Sequence, residues 1–492
     1  MLRAPPIFRE GLAFNDVLIK PRLTSVKSRK LISLKSQLTP KISLNLPLIA
    51  ANMDTICEDK MAIAMALAGG IGIIHRYCSI NSQVEMVRKV KRFVNCRIDR
   101  PYQVIDCTPI STVKEVMFRH KVSSLLVVND INKLAGIITR RDIDYADYSD
   151  NNGLLRIASD IMTRRDSLIV GNYLSDNIEL EMQMTKRRLE KLPLVDDVDN
   201  IKGLITLKDI TYYKKFRDIS TLDDNKRLRC GGAIGVNGDY LERADALLDA
   251  GVDVLVIDIA HGHSTECAKV IREIKAKSPS VEIIAGNVAT AEGTEYLINA
   301  GADAVKVNIG AGSICKTRET TGCGVPQFTA VLDAVAVARL RGIPIISDGG
   351  NCGKIGNIFK ALAGGASSVM LGNFISGTDE TPGALVIKGN KKMKMIRGMA
   401  GYISNMAKNE KLNTSEELAS SVEDMCPEGV EGYIAYKGDV MSILNQIKKG
   451  VSSGMSYVGC HNIAELHQTP IEFIKLTASG QHESGIHNIA EI

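Results

Sequence analysis

The chain has 492 residues, 45% of them apolar and 24% charged, with a formal net charge of +5. It is longer than one ordinary domain and apolar enough to fill a sizeable core, so two domains, or one domain with an insertion, are expected. Charge spread without long basic runs, 4% aromatic residues and no tryptophan exclude nucleic acid as the default partner, and 11 cysteines with no C-x-x-C pair or metal-ligand spacing exclude a disulfide framework in favour of free thiols.

The residues Met1-Leu2-Arg3-Ala4-Pro5-Pro6 lack the apolar core of a signal peptide, and no run approaches the ~20 apolar residues that span a bilayer. A cytoplasmic protein without membrane contact is expected; Ala490-Glu491-Ile492 is not a peroxisome-type tripeptide. Residues 46–55 predict a short buried strand ending in the polar tip Asn52-Met53-Asp54. A helix at 58–68 and a strand at 70–74 follow, the strand ending at His75-Arg76. This alternation stops near Arg97 and resumes near Leu228, with strands at 230–236, 253–258, 281–286, 303–308, 343–348 and 368–371. Helices between them include 239–248, 291–300, 330–340 and 355–363.

Eight strands with interposed helices predict an α/β fold, a closed (β/α)8 TIM barrel built from residues 1–98 and 218–492. Each strand ends in polar or glycine-rich residues, including Gly235, Asp258, Asn287, Asp348-Gly349-Gly350 and Gly372-Asn373. Barrel enzymes keep their sites at these ends and often bind phosphate at the loops after strands seven and eight, which are the last two tips.

The interruption, residues 99–217, contains a repeat. Gly136-Ile137-Ile138-Thr139-Arg140-Arg141-Asp142-Ile143 recurs as Gly203-Leu204-Ile205-Thr206-Leu207-Lys208-Asp209-Ile210, an offset of 67 residues (206 − 139), and each copy follows a strand-like run at 124–128 or 192–195. Helix capping accounts for the threonines but not for the recurring Asp142 and Asp209, which favours ligand binding at one or more of these sites. Lys208 and the Arg140/Arg141 pair would add charge for phosphates. Beyond the barrel strands, a long, weakly patterned segment at about 397–432 suggests a lid or a disordered stretch.

The chemistry concentrates in Asn308-Ile309-Gly310-Ala311-Gly312-Ser313-Ile314-Cys315-Lys316-Thr317-Arg318, continuing to Pro326-Gln327. Glycines at 310 and 312 let the backbone turn tightly and approach a ligand, and Ser313 adds a hydroxyl and exposed amides that suit an anion. Cys315 is a candidate nucleophile, with Thr317 two residues on to manage protons beside an adduct on sulfur.

This loop resembles the active-site loop of the IMP dehydrogenase and GMP reductase superfamily, whose members attack purine C2 with a cysteine and exchange hydride with a nicotinamide. The likeness spans nearly the whole chain, including the tail Ser452-Ser453-Gly454-Met455-Ser456-Tyr457-Val458-Gly459. The insertion resembles a tandem cystathionine-beta-synthase-type (CBS) module, which implies purine-nucleotide regulation at Thr139, Asp142, Thr206, Lys208 and Asp209. Dehydrogenases hydrolyse their intermediate with a flap arginine followed by tyrosine, whereas this chain has no arginine after Arg397. Thr317-Arg318-Glu319-Thr320-Thr321-Gly322-Cys323-Gly324-Val325-Pro326-Gln327 also resembles the reductase form.

The resemblance therefore implies reduction of GMP to IMP and ammonia with NADPH. Cys315 and Thr317 would be catalytic. Ser313, Asp348, Gly349, Gly350, Gly372 and Asn373 would hold ribose and phosphate, and Met399, Ala400 and Glu428 the purine edge. Asp258, Ala260 and Asn287 would face the cofactor, and carbonyls of Gly310, Gly312 and Cys315 would cradle a potassium ion. A homotetramer, pairing into octamers through the CBS module, is implied as well. Tyr402 stands where reductases place a glutamate, which leaves the ammonia-side acid open. Most reductases lack a CBS insertion, so IMP dehydrogenase is the enzyme alternative and a non-catalytic nucleotide sensor the other.

Overall fold

The computed structural model describes residues 7–93, 98, 101–120, 122–149, 156–175, 177–207, 210, 216, 218–399 and 428–485. Two compact units emerge, one from residues 1–91 with 219–492 and one from 92–218.

The larger unit is the expected closed parallel barrel. Its strands are β1 (Leu48–Ala50), β2 (Ile71–Ile74), β3 (Cys230–Ile234), β4 (Val254–Ile257), β5 (Ile283–Val288), β6 (Ala304–Val307), β7 (Ile345–Asp348) and β8 (Ser368–Leu371), with β8 pairing to β1 to close the ring. Side chains alternate across each strand, so Ile49 and Ala51, Ile71 and Ile73, and Val254 and Val256 share the barrel interior. Leu38, Ile42 and Leu44, from a hairpin that sequence periodicity did not reveal, join that same interior cluster. The polar strand tips lie at the other, C-terminal end.

Around the ring run α1 (Asp59–Leu67), α2 (Ile80–Arg92), α3 (Tyr240–Asp249), α4 (Thr265–Lys277), α5 (Ala291–Ala300), the short α6 (Thr317–Thr321), α7 (Gln327–Ala338), α8 (Ile355–Ala363) and α9 (Val440–Tyr457). Ser264 and Thr290 cap α4 and α5 through their hydroxyls, and Asp439 caps α9. The helix expected at 330–340 begins earlier, at Gln327, directly after Pro326, whose fixed φ suits a helix entry.

Helix α9 approaches α8 across Gly450 and Gly454, two positions on one helix face. A methyl group at 454 would collide with the Phe359 ring, so Gly454→Ala should lower unfolding stability by about 2 kcal/mol through overpacking. Urea titration of the variant checks this.

Three further strands, β9 (Val386–Lys388), β10 (Lys391–Arg397) and β11 (Glu431–Ala435), form an antiparallel sheet after β8. The buried Lys394 Nζ donates to the carbonyls of Thr378 and Thr381 at 2.8 and 2.7 Å, fastening this sheet to the segment that leaves β8. Arg397, at the end of β10, donates through Nε to Asp54 at 2.8 Å and fastens it to the β1 tip.

The smaller unit bears the repeat in its geometry. Ser124–Val128 pairs antiparallel with Leu134–Thr139, and Lys191–Val195 with Ile201–Thr206, with equivalent registers and irregularities at the equivalent steps Val127/Val128 and Leu194/Val195. Each hairpin packs a helix, Ile110–His120 or Asn177–Arg187, and the buried pairs Val113/Leu180, Met117/Met184 and Ile138/Ile205 are equivalent. Lys133 bridges its own equivalent, Asn200, as a pseudo-twofold axis requires.

One expectation is corrected here. Thr139 N and Oγ1 both donate to Asp142 Oδ2 at 2.7 Å, and Asp142 N donates back to Thr139 Oγ1 at 3.4 Å. This reciprocal capping box opens the helix Arg140–Ser149, so capping accounts for the aspartate as well as the threonine in that copy. Thr206 ends the equivalent strand, while Lys208 and Asp209 lie outside the described residues.

Candidate active site

The C-terminal ends of the barrel strands enclose a cleft of about 600 Å³, within the range of small-molecule sites. Cys315, Thr317, Ser313, Asp348, Asn373, Met399 and Glu428 all line it, as do Asp258, Ala260 and Asn287. Ala400 and Tyr402 lie outside the described residues. The structure thus brings together on one cleft the residues that the sequence scattered over five strand tips and the chain beyond them.

Cys315 is half-buried on the loop after β6. Its Sγ lies 3.1 Å from Thr317 Oγ1, and that hydroxyl donates to Glu428 Oε2 at 2.6 Å. Sulfur, hydroxyl and carboxylate therefore form one line. Elsewhere in the barrel, full burial pushes the Cys230 thiol up to about 12 and desolvation takes Cys267 to about 11, which keeps both protonated and inert.

Local chemistry explains the loop's shape. Gly310 has φ +76°, and the Arg318 side chain runs where a Cβ at 310 would sit, donating to the carbonyls of Ile309 and Val325 and tying the loop's two ends together. The chain that enters β11 pairs with the loop: Lys316 N donates to Glu428 O at 2.7 Å, Val430 N to Ile314 O at 3.0 Å and Gly398 N to Val430 O at 2.9 Å. That pairing delivers the Glu428 carboxylate to Thr317, 111 residues away in sequence. Sequence reasoning placed Glu428 at the purine edge; in the structure its carboxylate also accepts from the Thr317 hydroxyl beside Cys315.

Three charged arrangements lie in the cleft or beside it. Lys306 of β6, 3% exposed, donates to Asn287 Oδ1 and, at 3.1 Å, to Asp348 Oδ2, to which Asn287 Nδ2 also donates at 3.0 Å. Arg76 holds Asp258 through Nε at 3.3 Å. Neither cation was picked out beforehand, although a lysine inside the β6 run Ala304-Val305-Lys306-Val307 is a signal available to sequence. The third is Arg397: its hydrogen bonds to Asp54 raise the pKa of the guanidinium, so it stays protonated.

Tyr77 donates its hydroxyl to Met399 O at 3.0 Å, and burial pushes the phenol up to about 12 from an ordinary value of about 10. Above pH ~10 the unfolded chain loses this proton before the folded one, so stability falls as pH rises through the window to about 12. Between pH ~9 and ~11.5 the wild type should lose about 1–2 kcal/mol of stability relative to Tyr77→Phe, read from urea midpoints.

Residues 11–487 match the IMP dehydrogenase / GMP reductase domain. The chain belongs to this family. It is 45% identical to inosine-5'-monophosphate dehydrogenase of Nitrosopumilus maritimus over 98% of this chain and 99% of that one. It is also 42% identical to GMP reductase of Leishmania major over 99% of each. A crystal structure of a cysteine-to-alanine GMP reductase from Trypanosoma brucei in complex with guanosine 5'-monophosphate matches with a TM-score of 0.90 and 42% identity, covering 98% of this chain and 99% of that chain. The Trypanosoma brucei enzyme in complex with guanosine 5'-triphosphate matches with a TM-score of 0.79 and 37% identity, covering 96% and 99%. The family places the chain among oxidoreductases of purine metabolism that use a nicotinamide cofactor. Among the described residues no helix is long and apolar enough to cross a membrane, and no cluster of His, Cys, Asp or Glu could hold a metal.

Proposed function

We propose that the protein is a GMP reductase, converting GMP and NADPH to IMP, ammonia and NADP. The observation that carries this choice is Arg397. It is the last arginine in the chain, and it is engaged with Asp54 and held protonated. The arginine base with which dehydrogenases activate water is therefore lacking, whereas the Cys315–Thr317–Glu428 line that deamination needs is intact.

In this reading the Cys315 thiol gives up its proton, through the Thr317 hydroxyl, to the Glu428 carboxylate as Sγ adds to C2 of the purine. Thr317, hydrogen-bonded on one side to sulfur and on the other to Glu428, passes a proton from the carboxyl to the departing amine as the C2–N bond breaks. Glu428 is thereby the ammonia-side acid, and the Tyr402 position need not supply one. The tips of β4 and β5, with Asp258, Ala260 and Asn287, suit the nicotinamide: the cleft volume has room for two rings side by side, and the Arg76–Asp258 pair fixes a carboxylate at its wall. A bound reduced nicotinamide supplies the hydride that replaces the amine at C2. Breaking the C2–S bond returns the Cys315 thiolate. Asp348, fixed by Lys306, would take the ribose diol, and Ser313, Gly350, Gly372 and Asn373 the phosphate, with Met399 on the base. Carbonyls of Gly310, Gly312 and Cys315 would hold a potassium ion, which none of these steps requires.

The second reading, IMP dehydrogenase, is favoured by the 45% identity to the Nitrosopumilus maritimus protein. Ammonium assay separates them. One ammonium should appear per NADPH oxidised with GMP, and NADPH-dependent loss of GMP without ammonium would overturn the proposal.

The smaller unit is proposed to be a CBS-type regulatory module that binds purine nucleotides, supported by its internal twofold geometry and by the GTP complex of the Trypanosoma brucei relative. Thr139→Ala combined with Thr206→Ala should leave basal turnover unchanged and abolish the response to added GTP. An unaltered GTP response in initial-rate assays would remove the regulatory reading.

A further inference from the structure

The loop after β8 is held from behind by one cation. Lys437 Nζ donates to the carbonyls of Asn373 and Phe374 at 2.7 and 3.2 Å, and the Ser376 hydroxyl also donates to Asn373 O at 2.7 Å. A planar trans peptide directs its N–H opposite to its C=O. Drawing the Asn373 carbonyl toward Lys437 therefore turns the Phe374 N–H to the other side, and Gly372, Asn373 and Phe374 all line the cleft. Ile375 and Ser376 donate their own N–H groups back to Gly372 O, which leaves the Phe374 N–H for a ligand.

The charge pattern separates Lys437 from its neighbours. Lys306 faces Asp348, Arg76 faces Asp258 and Arg397 faces Asp54. Among the described residues Lys437, an exposed side chain, has no carboxylate partner and donates to backbone carbonyls. A lysine charge set behind an N–H donor on the phosphate side of a barrel favours an anion in the cleft.

We propose that Lys437 is the positioning residue for the 5'-phosphate of the nucleotide, aiming the N–H donors of the loop after β8 and supplying the charge behind them. This rests on the nucleotide site proposed above and goes beyond it, because Lys437 touches the loop and not the substrate. It predicts a cost that depends on the phosphate and not on the purine.

The test compares full-length wild type, Lys437→Gln and Lys437→Arg in steady-state assays, and by calorimetry with GMP and guanosine. Lys437→Gln should raise KM and Kd for GMP about tenfold, shift guanosine binding less than twofold and keep kcat within twofold. Lys437→Arg should recover most of the GMP affinity. Equal weakening of GMP and guanosine, or a fall in kcat at unchanged KM, would make Lys437 a plain clamp on the sheet and overturn the proposal. Wild-type binding of GMP without turnover would count against the reductase reading alone, since the two Kd comparisons still decide the role of Lys437.

Discussion

Cys315→Ala should reduce turnover of GMP by about 10⁴-fold or more while the protein still folds and binds the nucleotide. The magnitude follows from covalent catalysis: without the thiolate no C2–S bond forms, and the amine must leave from an unactivated aromatic ring. Binding should survive because the groups proposed for ribose and phosphate, Asp348 and the loops after β7 and β8, make no hydrogen bond to the sulfur; Sγ is bonded to Thr317. The fold should survive because Cys315 is half-buried on a loop whose ends are fixed by Arg318 and by backbone pairing with Gly429. Initial rates with calorimetric GMP binding check the prediction. A variant within about a hundredfold of wild type would remove the covalent mechanism.

Glu428→Gln should have the next largest effect, a fall in kcat of about 10²–10³-fold with GMP affinity changed only a few-fold. Glutamine keeps the shape and the acceptor that Thr317 donates to, but it has no proton to give, which is the signature of lost acid catalysis. Thr317→Val should give a fall of the same order, because it removes the hydroxyl between sulfur and carboxylate. The double variant should be scarcely worse than either single one, since both act on a single proton path. Rapid-quench measurement of ammonium release locates the defect. A Glu428→Gln enzyme that releases ammonium at the wild-type rate would take Glu428 out of the acid's role.

The parts of this molecule that sequence made legible are those encoded locally. Barrel strands such as Val254–Ile257 are short apolar runs ending in a polar residue, and both the run and the tip lie within a few positions. Cys315 and Thr317 are two residues apart, so their pairing could be anticipated. The partnership of Thr317 with Glu428 could not, because it crosses 111 residues and depends on backbone pairing between the β6 loop and the chain entering β11. The hairpin of Ser36–Gln37 with Ser43–Leu44 escaped for a different reason: strands of two residues carry no periodicity, yet Leu44 belongs to the buried cluster inside the barrel. Lys306 stood out as a lysine in an apolar strand, but its partner did not, because only closure of the barrel directs it at Asp348. In the smaller unit the repeat was legible from its offset of 67 residues, but the capping by its first Thr–Asp pair was not. Local capping and phosphate binding call for the same residue types, and Thr139 with Asp142 forms the cap.

One preparation of the full chain decides between the two reactions of the family. Its kcat/KM for GMP with NADPH should exceed that for IMP with NAD by about a thousandfold, with ammonium released in the first reaction and no XMP accumulating in the second. XMP formation from IMP at the greater rate would contradict the account, and would mean that a group other than an arginine of the flap activates the hydrolytic water.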